Sequence, residues 1–113
     1  MIKPAALVQG TLDMLILKTL ALEPMHGYGI GVRITQISQG VFDVNAGSLF
    51  PAFRRLERDG LIKGTWERTE NNRHAKRYAL TSAGRRRLKD QARDWETQMT
   101  AIQAILGARG KGV

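Results

Sequence analysis

The most informative segment of the chain is Gly47-Ser48-Leu49-Phe50-Pro51-Ala52-Phe53-Arg54-Arg55-Leu56-Glu57. Leu49, Phe53 and Leu56 stand four and three residues apart, the spacing that places apolar side chains on one face of an α-helix. The opposite face offers small residues first and arginines later. The pattern therefore predicts an amphipathic helix that ends before Asp59-Gly60, with one buried face and one basic face.

The start of this helix has two candidates. Asn45 and Ser48 both belong to the residue types that cap helix N-termini with a side-chain oxygen. Proline lacks a backbone N–H and is best tolerated in the first turn of a helix. Pro51 is therefore comfortable if Ser48 is the cap, and a tolerable irregularity if Asn45 is the cap. On the sequence alone, both alternatives stay open.

Two helices are predicted before this one. Apolar residues at three- and four-residue steps predict a helix over Thr11–Leu22, which Glu23-Pro24 ends. A second helix follows the His26-Gly27 turn and runs to about Ser38, with an apolar stripe of Tyr28, Ile30, Ile34 and Ile37. The next segment, Val41-Phe42-Asp43-Val44, is β-branched and aromatic, which predicts a brief strand or an extended link.

A β-hairpin is predicted after the amphipathic helix. Residues 61–67 and 77–80 alternate between apolar and polar side chains, which is typical of half-buried strands. The residues placed on one face are Ile62, Gly64 and Trp66 in the first strand, and those placed inward are Tyr78 and Leu80 in the second. The polar segment Glu70-Asn71-Asn72-Arg73-His74 predicts the hairpin tip, since Asn accepts positive φ.

A long final helix is predicted to begin after Thr81 or Ser82 and to run to residue 106, before a glycine-rich end. Its apolar residues step by four and three, the spacing of a coiled-coil seam; they are Leu88, Ala92, Trp95, Met99, Ile102 and Leu106. This stripe either packs on its own domain or meets a second copy of the chain. A domain this small has little surface to cover so long a stripe, so we expect a homodimer, with residues 1–20 assisting.

Trp95 carries a separate hypothesis. A tryptophan on the seam near a twofold axis is a candidate to stack a flat aromatic effector, and the alternative is a tryptophan that only packs.

The element order predicts a mainly α fold with a small β-hairpin wing, that is, a winged helix-turn-helix plus a C-terminal dimerisation helix. We expect the DNA-binding domain over residues 1–81, the dimerisation helix over residues 82–106 and a flexible tail over residues 107–113.

Composition limits the functions open to the chain. Its 113 residues suit one domain, and the absence of cysteine excludes disulfides, thiolate metal sites and a cysteine nucleophile. The only histidines, His26 and His74, are isolated, so no metal site, cofactor or enzyme activity is expected. Gly27-x-Gly29-x-Gly31 has the wrong spacing for a dinucleotide fingerprint. Because Asp13 and Lys18 bracket the longest N-terminal apolar run, we expect no membrane span and a cytoplasmic location.

The net charge of +8 is concentrated in one part of the chain. Residues 45–89 hold twelve basic and four acidic side chains, and the remaining six basic and six acidic side chains cancel. A basic surface that served only solubility would be better suited by charges dispersed along the chain. The concentration instead indicates a polyanionic partner, either nucleic acid or an anionic membrane surface.

Double-stranded DNA is the partner that these elements favour. An α-helix fits the major groove, where its exposed side chains meet base edges. Arg54 and Arg55 can reach guanine or phosphate, and the hairpin adds Arg73, His74, Lys76 and Arg77 for phosphates or an adjacent minor groove. The alternatives are a solvated arginine face, a ligand sensor, and a basic RNA-binding module, for which we expect no exposed aromatic platform.

Several motifs resemble the PadR family of bacterial transcriptional regulators. Besides the stretch quoted first, they are His26-Gly27-Tyr28-Gly29-Ile30, Asp59-Gly60-Leu61-Ile62 and Arg77-Tyr78-Ala79-Leu80-Thr81-Ser82-Ala83-Gly84. The resemblance runs from about Leu7 to Leu106 and suits the short subfamily with a single C-terminal helix. It implies a dimeric repressor that binds an inverted-repeat operator and is often released by a small effector.

The resemblance also implies DNA contacts by residue. It places recognition-helix positions at Ser48 and Phe50 as well as at the two arginines. With the helix start and the wing included, the candidate DNA contacts are Asn45, Ser48, Phe50, Arg54, Arg55, Arg73, His74, Lys76 and Arg77. The chain departs from the family pattern in two places. Phe50 replaces the usual Tyr, and the wing lacks the common Gly/Pro pattern.

Overall fold

The computed structural model describes residues 10–110. Residues 1–9, at the start of the predicted DNA-binding domain, and residues 111–113, at the end of the predicted tail, lie outside the described residues. The expectations for them are therefore not compared with the structure. The elements in chain order are α1 (Thr11–Leu22), β1 (Met25–His26), α2 (Gly27–Ile37), α3 (Ala46–Arg58), β2 (Ile62–Arg68), β3 (His74–Leu80) and α4 (Ser82–Leu106). The chain is mainly helical with a small antiparallel sheet, as predicted.

One apolar core joins the first three helices to the sheet. Its buried members include Ile16, Leu17, Leu20, Ile30, Ile34, Leu49, Phe53, Leu56, Leu61, Ile62 and Tyr78. The stripe predicted for α3 is confirmed, because Leu49, Phe53 and Leu56 are all buried. Burying a side chain of this size contributes about 1.5–3 kcal/mol. The core therefore fixes which face of α3 turns inward and leaves its basic face outside.

The stripe predicted for α2 is only half right. Ile30 and Ile34 are buried, whereas Tyr28 and Ile37 are exposed. Tyr28 precedes Ile30 by two residues, slightly more than half a helical turn, so its side chain leaves the helix on the other side. Ile37 lies in the last turn, beyond the reach of the core. The N-terminal turn of α2 thus carries an aromatic side chain into solvent.

The helices α2 and α3 pack closely at Gly31. A Cβ atom at Gly31 would lie 2.7 Å from Leu49 Cδ1, so the Leu49 side chain would have to shift to accommodate it. Between the two helices, Val41–Val44 form no strand, so the extended link is the correct alternative. The Phe42 N–H donates to Ser38 Oγ at 3.1 Å, which holds this link without a partner strand.

Asn45 is the N-cap of α3, which decides the open question about its start. The Asn45 side-chain oxygen accepts a hydrogen bond from the Ser48 N–H at 3.0 Å. Pro51 then falls in the second turn and cannot donate to the carbonyl of Gly47. Because Gly47 is exposed, solvent can satisfy that carbonyl. The hydrogen bond that Pro51 cannot make is therefore lost at a carbonyl that solvent can reach.

The sheet has three antiparallel strands in the order β1-β3-β2. The short strand β1, which pairs Met25 with Tyr78 and His26 with Arg77, was not predicted. Two residues are too few to show alternation, so only the pairing with β3 identifies this strand. β3 also begins at His74, three residues earlier than predicted.

The hairpin tip is confirmed. Asn72 has a φ of 60°, and the Thr69 N–H donates to the Arg73 carbonyl at 2.8 Å. Because the tip and the outer ends of β2 and β3 extend past the core, Trp66 is exposed although it shares a face with buried Ile62. The wing therefore projects polar, basic and aromatic groups into solvent.

The helix α4 has the predicted bounds, and its N-cap is Thr81, whose hydroxyl accepts from the Gly84 N–H at 3.0 Å. Gly84 is buried against the carbonyl of Leu61, where any side chain would collide. The first half of α4 packs beside α1, and the second half extends away, giving extents of 65 × 36 × 21 Å. No helix among residues 10–110 is long and apolar enough to cross a membrane.

Candidate nucleic-acid interface

The outer face of α3 presents most of the residues predicted for it. Ser48, Phe50, Arg54 and Arg55 are all exposed. Asn45 is also exposed, but its side-chain oxygen is occupied by the capping hydrogen bond. The N-terminal turn of α3 therefore offers small polar groups and free backbone N–H groups, which favour anions.

The two neighbouring arginines of α3 have different surroundings. Arg55 Nη2 lies 2.7 Å from Asp13 Oδ1 in α1, an ion pair at the surface between helices. Arg54 has no ion-pair partner among the residues that the structure describes. Arg54 is thus the arginine whose charge is free for an external partner, while Arg55 must share or leave Asp13 to contact one.

Lys76 is held inside the wing rather than displayed by it. Its Nζ donates to Glu57 Oε1 at 2.7 Å and lies 5.7 Å from the ring centres of both Trp66 and Tyr78. The hydrogen bond to Glu57 raises the pKa of Lys76 and outweighs the opposing effect of burial. Lys76 therefore ties α3 to the wing, and any contact of its charge with DNA competes with Glu57.

The other basic residues of the wing differ in how free they are. Arg73 and His74 are exposed and have no ion-pair partner in the described part of the chain. Arg77 Nη1 lies 4.0 Å from Glu67 Oε1, which also lies 2.7 Å from His26 Nε2. His26 Nε2 has no hydrogen-bond partner among the described residues, and its contact with Glu67 is an ion pair only if His26 is protonated. The free basic groups of the wing therefore include Arg73 and His74 at its tip.

A groove between α3 and the wing brings these parts together. It is lined by residues of both elements and of the N-terminal turn of α2, among them Tyr28, Phe50, Arg54, Trp66, His74 and Lys76. Tyr28 and Trp66 were not predicted as site residues, and the expectation of no exposed aromatic platform is wrong. Two features of the sequence could have indicated that these side chains are exposed. Tyr28 is offset from Ile30 by two residues, and Trp66 lies next to the charged residues Glu67 and Arg68.

Comparison with known proteins decides the family. The profile described as "Transcriptional regulator PadR-like family" matches residues 16–90 of the chain. The chain belongs to this family. A curated relative from Lysinibacillus sphaericus, described as "Uncharacterized protein X", is 26% identical over 89 residues, covering 79% of this chain and 82% of that protein.

Solved structures of other regulators share the fold of this PadR-like chain. A PadR family transcriptional regulator from Eggerthella lenta is 29% identical with a TM-score of 0.77, covering 89% of this chain and 86% of that chain. A transcriptional regulator from Clostridium thermocellum is 27% identical with a TM-score of 0.77, covering 84% and 92%. The winged-helix fold and a role in DNA-binding transcription regulation follow from this membership.

The predicted seam of this PadR-like regulator divides into two halves. Leu88, Ala92 and Trp95 are half-buried beside α1, whereas Met99, Ile102 and Leu106 are exposed on the extending half of α4. Within a single chain, α1 therefore covers part of the first half of the stripe and none of the second half. An open groove of about 590 Å³ lies between α1 and α4, lined by residues that include Met14, Leu15, Leu88, Trp95 and Met99.

Metal binding has no support in the described residues 10–110, where no group of three or more His, Cys, Asp or Glu side chains is arranged to hold an ion.

Proposed function

We propose that this PadR-like regulator is a homodimeric repressor that binds an inverted-repeat operator in double-stranded DNA through α3 and the wing. The observation that carries the proposal is the groove at which the exposed face of α3 and the wing meet. Arg54 and His74 line this groove and Arg73 lies next to His74, and all three are without acidic partners among the described residues.

Major-groove binding suits the geometry of α3. An α-helix with its side chains is about 10–12 Å across, and the major groove is about 12 Å wide. Arg54 is long enough to reach a guanine edge, where arginine makes two hydrogen bonds, and Ser48 allows a close approach nearer the helix start. Arg73 and His74 on the wing are suited to phosphates, which position the protein without reading sequence.

Dimerisation is proposed from the extending half of α4. Met99 is 39% exposed, Ile102 51% and Leu106 80%, on a helix whose far end has no neighbour within residues 10–110. Covering each such side chain is worth about 1.5–3 kcal/mol when burial is complete. A twofold pairing of these helices would set two copies of α3 about one DNA turn, roughly 34 Å, apart.

A small aromatic effector is proposed for the groove between α1 and α4. The groove is mostly apolar, and Trp95 provides a flat surface on one wall. The variant Trp66→Phe leaves Trp95 as the sole tryptophan, so its fluorescence reports binding of planar aromatic compounds. Quenching that saturates supports an effector site, and no quenching at high ligand concentration rejects it.

Selection of binding sites from a random duplex library with the purified protein tests the DNA proposal. We predict an enriched inverted repeat with half-site centres about 10–10.5 base pairs, or a multiple of that distance, apart. A promoter overlapped by the selected site should then lose transcription when the protein is added. If no sequence is enriched, the proposal of a specific operator is rejected. If transcription rises, the proposed repressor role is rejected.

A basic RNA-binding module is the second candidate, because Tyr28, Phe50 and Trp66 are exposed and unstacked bases of RNA bind such side chains. Competition between the selected duplex and a structured RNA distinguishes the two. We expect the duplex to be retained, and displacement by RNA at equal concentration would favour the second candidate.

A further inference from the structure

A groove of about 460 Å³ lies between the N-terminal turn of α2, the outer face of α3 and the wing. Phe50 and Arg54 line the α3 side of the groove, and Trp66 and His74 line the wing side. Tyr28 lines it from the N-terminal turn of α2. A partner that contacts both α3 and the wing must therefore cross this groove.

All the exposed aromatic side chains of the protein border this groove. The chain has three Phe, two Trp and two Tyr, and every one of them lies within the described residues. Tyr28 is 84% exposed, Trp66 65% and Phe50 47%, while the other four are buried or half-buried. Exposed apolar surface that gathers in one place marks a binding site.

Within residues 10–110, the groove presents one free cation and one free ring N–H donor that are not already paired. Arg54 on one side and His74 on the other have no acidic neighbour at ion-pair distance in the described chain. Glu57 is the carboxylate near the groove, and its Oε1 lies 2.7 Å from Lys76 Nζ. An occupant therefore needs anionic groups for the two sides and an apolar surface for the rings.

The sugar–phosphate backbone of DNA has both properties, because phosphates alternate with deoxyribose rings along each strand. One strand's backbone also separates the major groove from the minor groove of a duplex. With α3 in the major groove and the wing beside the minor groove, that backbone must pass between α3 and the wing. A planar small molecule would suit the rings but would leave the Arg54 guanidinium and the His74 ring N–H, on opposite sides of the groove, without partners.

We propose that this groove binds the sugar–phosphate backbone of one DNA strand, with the Trp66 indole packed against a deoxyribose and with Arg54 and His74 directed at phosphates on either side. The inference rests on the proposed DNA-binding function and adds Trp66 and Tyr28 to the contact surface. Lys76 Nζ, held by Glu57, lies 5.7 Å from the Trp66 ring centre and restrains the indole in this position.

An aromatic contact with deoxyribose has a salt dependence that separates it from a phosphate contact. Trp66→Ala should weaken binding about tenfold on every duplex sequence alike, the loss of roughly one apolar side-chain contact. The slope of log affinity against log salt should stay unchanged, since an indole releases no counterions. Arg73→Ala should instead lower that slope by about one. Trp66→Phe, which keeps an aromatic ring, should lose less affinity than Trp66→Ala. The control Ile37→Ala, outside the groove, should bind as well as the native protein.

The direct test uses Trp95→Phe, which leaves Trp66 as the sole tryptophan. Acrylamide quenching of Trp66 is measured with and without a labelled mixed-sequence duplex at low salt, while the anisotropy of the label reports binding. We expect the bound duplex to shield Trp66 from acrylamide. Binding by anisotropy with unchanged quenching, together with native affinity for Trp66→Ala, would overturn the inference and leave the proposed function intact. No duplex binding by the native protein would instead refute the proposed function, and this inference with it.

Discussion

Arg55 belongs both to an ion pair with Asp13 and to the face proposed to read DNA. Substituting Arg55 and substituting Asp13 should therefore change operator affinity in opposite directions. Breaking the pair from either side should lower the free energy of unfolding by about 0.2–1 kcal/mol, as for other exposed pairs. Arg55→Ala should also cost about 1–3 kcal/mol of operator binding and relax the preference at one base pair. Asp13→Asn should strengthen operator binding about two- to fivefold, because it frees the guanidinium.

Thermal unfolding and operator titration of both variants measure these effects. Equal operator affinity of Arg55→Ala and the native protein would show that Arg55 serves only to join α1 to α3.

Arg54 is the arginine of α3 whose charge no described acidic residue meets. Arg54→Ala should cost about 1–3 kcal/mol of operator binding and reduce discrimination at one base pair, while leaving the unfolding midpoint nearly unchanged. Arg58→Ala is the matched control, since Arg58 is exposed at the far end of the same helix and lies 3.5 Å from Asp59. A uniform loss of affinity on all sequences would assign Arg54 to phosphate instead of a base edge.

At the residue scale, the sequence predicted which side chains are exposed better than it predicted their partners. Exposure of Arg54, Arg73 and His74 follows from the period of the helix and the polarity of the hairpin tip. The Arg55–Asp13 pair joins residues 42 positions apart, and the Lys76–Glu57 pair joins residues 19 positions apart. Neither pair has a local pattern, so only the packing of α1 and the wing on α3 reveals them.

The N-cap of α3 connects helix stability with DNA binding at the element scale. Asn45→Ala should lower the free energy of unfolding by about 1 kcal/mol, because the Ser48 N–H loses its side-chain acceptor. Asn45→Asp should keep this stability, since a carboxylate caps equally well, yet weaken binding to any duplex by placing a negative charge where phosphate is expected. Chemical denaturation measures the stability of the two variants, and duplex titration measures their affinity for DNA. Tighter duplex binding by Asn45→Asp would contradict the placement of the α3 N-terminus at DNA.

Tyr78, at the core end of strand β3, predicts that the free energy of unfolding falls at alkaline pH. Burial raises the pKa of Tyr78, because the phenolate is disfavoured inside the core. The folded chain then holds this proton more tightly than the unfolded chain. The free energy of unfolding is therefore undiminished below about pH 10, the ordinary value for tyrosine, and falls as pH rises through the folded value.

Tyr78→Phe should reduce this fall, leaving the part due to Lys76, whose raised pKa acts in the same direction. Denaturation midpoints at about pH 9 and about pH 11 measure the difference, with Tyr28→Phe as an exposed control. An alkaline fall in Tyr78→Phe as steep as in the native protein would exclude this cause.

Elements with a repeating pattern were predictable, and those defined by a distant partner were not. The helices α1, α3 and α4 follow from their apolar spacing, Pro24 and the glycines after residue 106. The strand β1 has two residues and exists because Tyr78 and Arg77 of β3 pair with it. The side on which Tyr28 leaves α2 likewise depends on the core that Ile30 and Ile34 enter.

At the scale of the whole molecule, the exposed half of α4 predicts that operator binding requires two copies. Ile102→Glu should produce a monomer and weaken operator binding about a hundredfold or more, because the second half-site is no longer held close to the first. Ile37→Glu is the control, since it charges an exposed isoleucine away from α4. Sedimentation equilibrium gives the mass, and a dimeric Ile102→Glu with native affinity would place the interface elsewhere.

If α3 and the wing together bind duplex DNA, both should be protected from hydrogen–deuterium exchange in the complex. Exchange is measured on the native protein with and without the selected duplex. We expect slower exchange on binding at residues 45–58 and 66–77, with residues 99–106 unchanged by the duplex. A bound duplex that leaves both of those segments unprotected, or protects the end of α4 instead, would refute this interface.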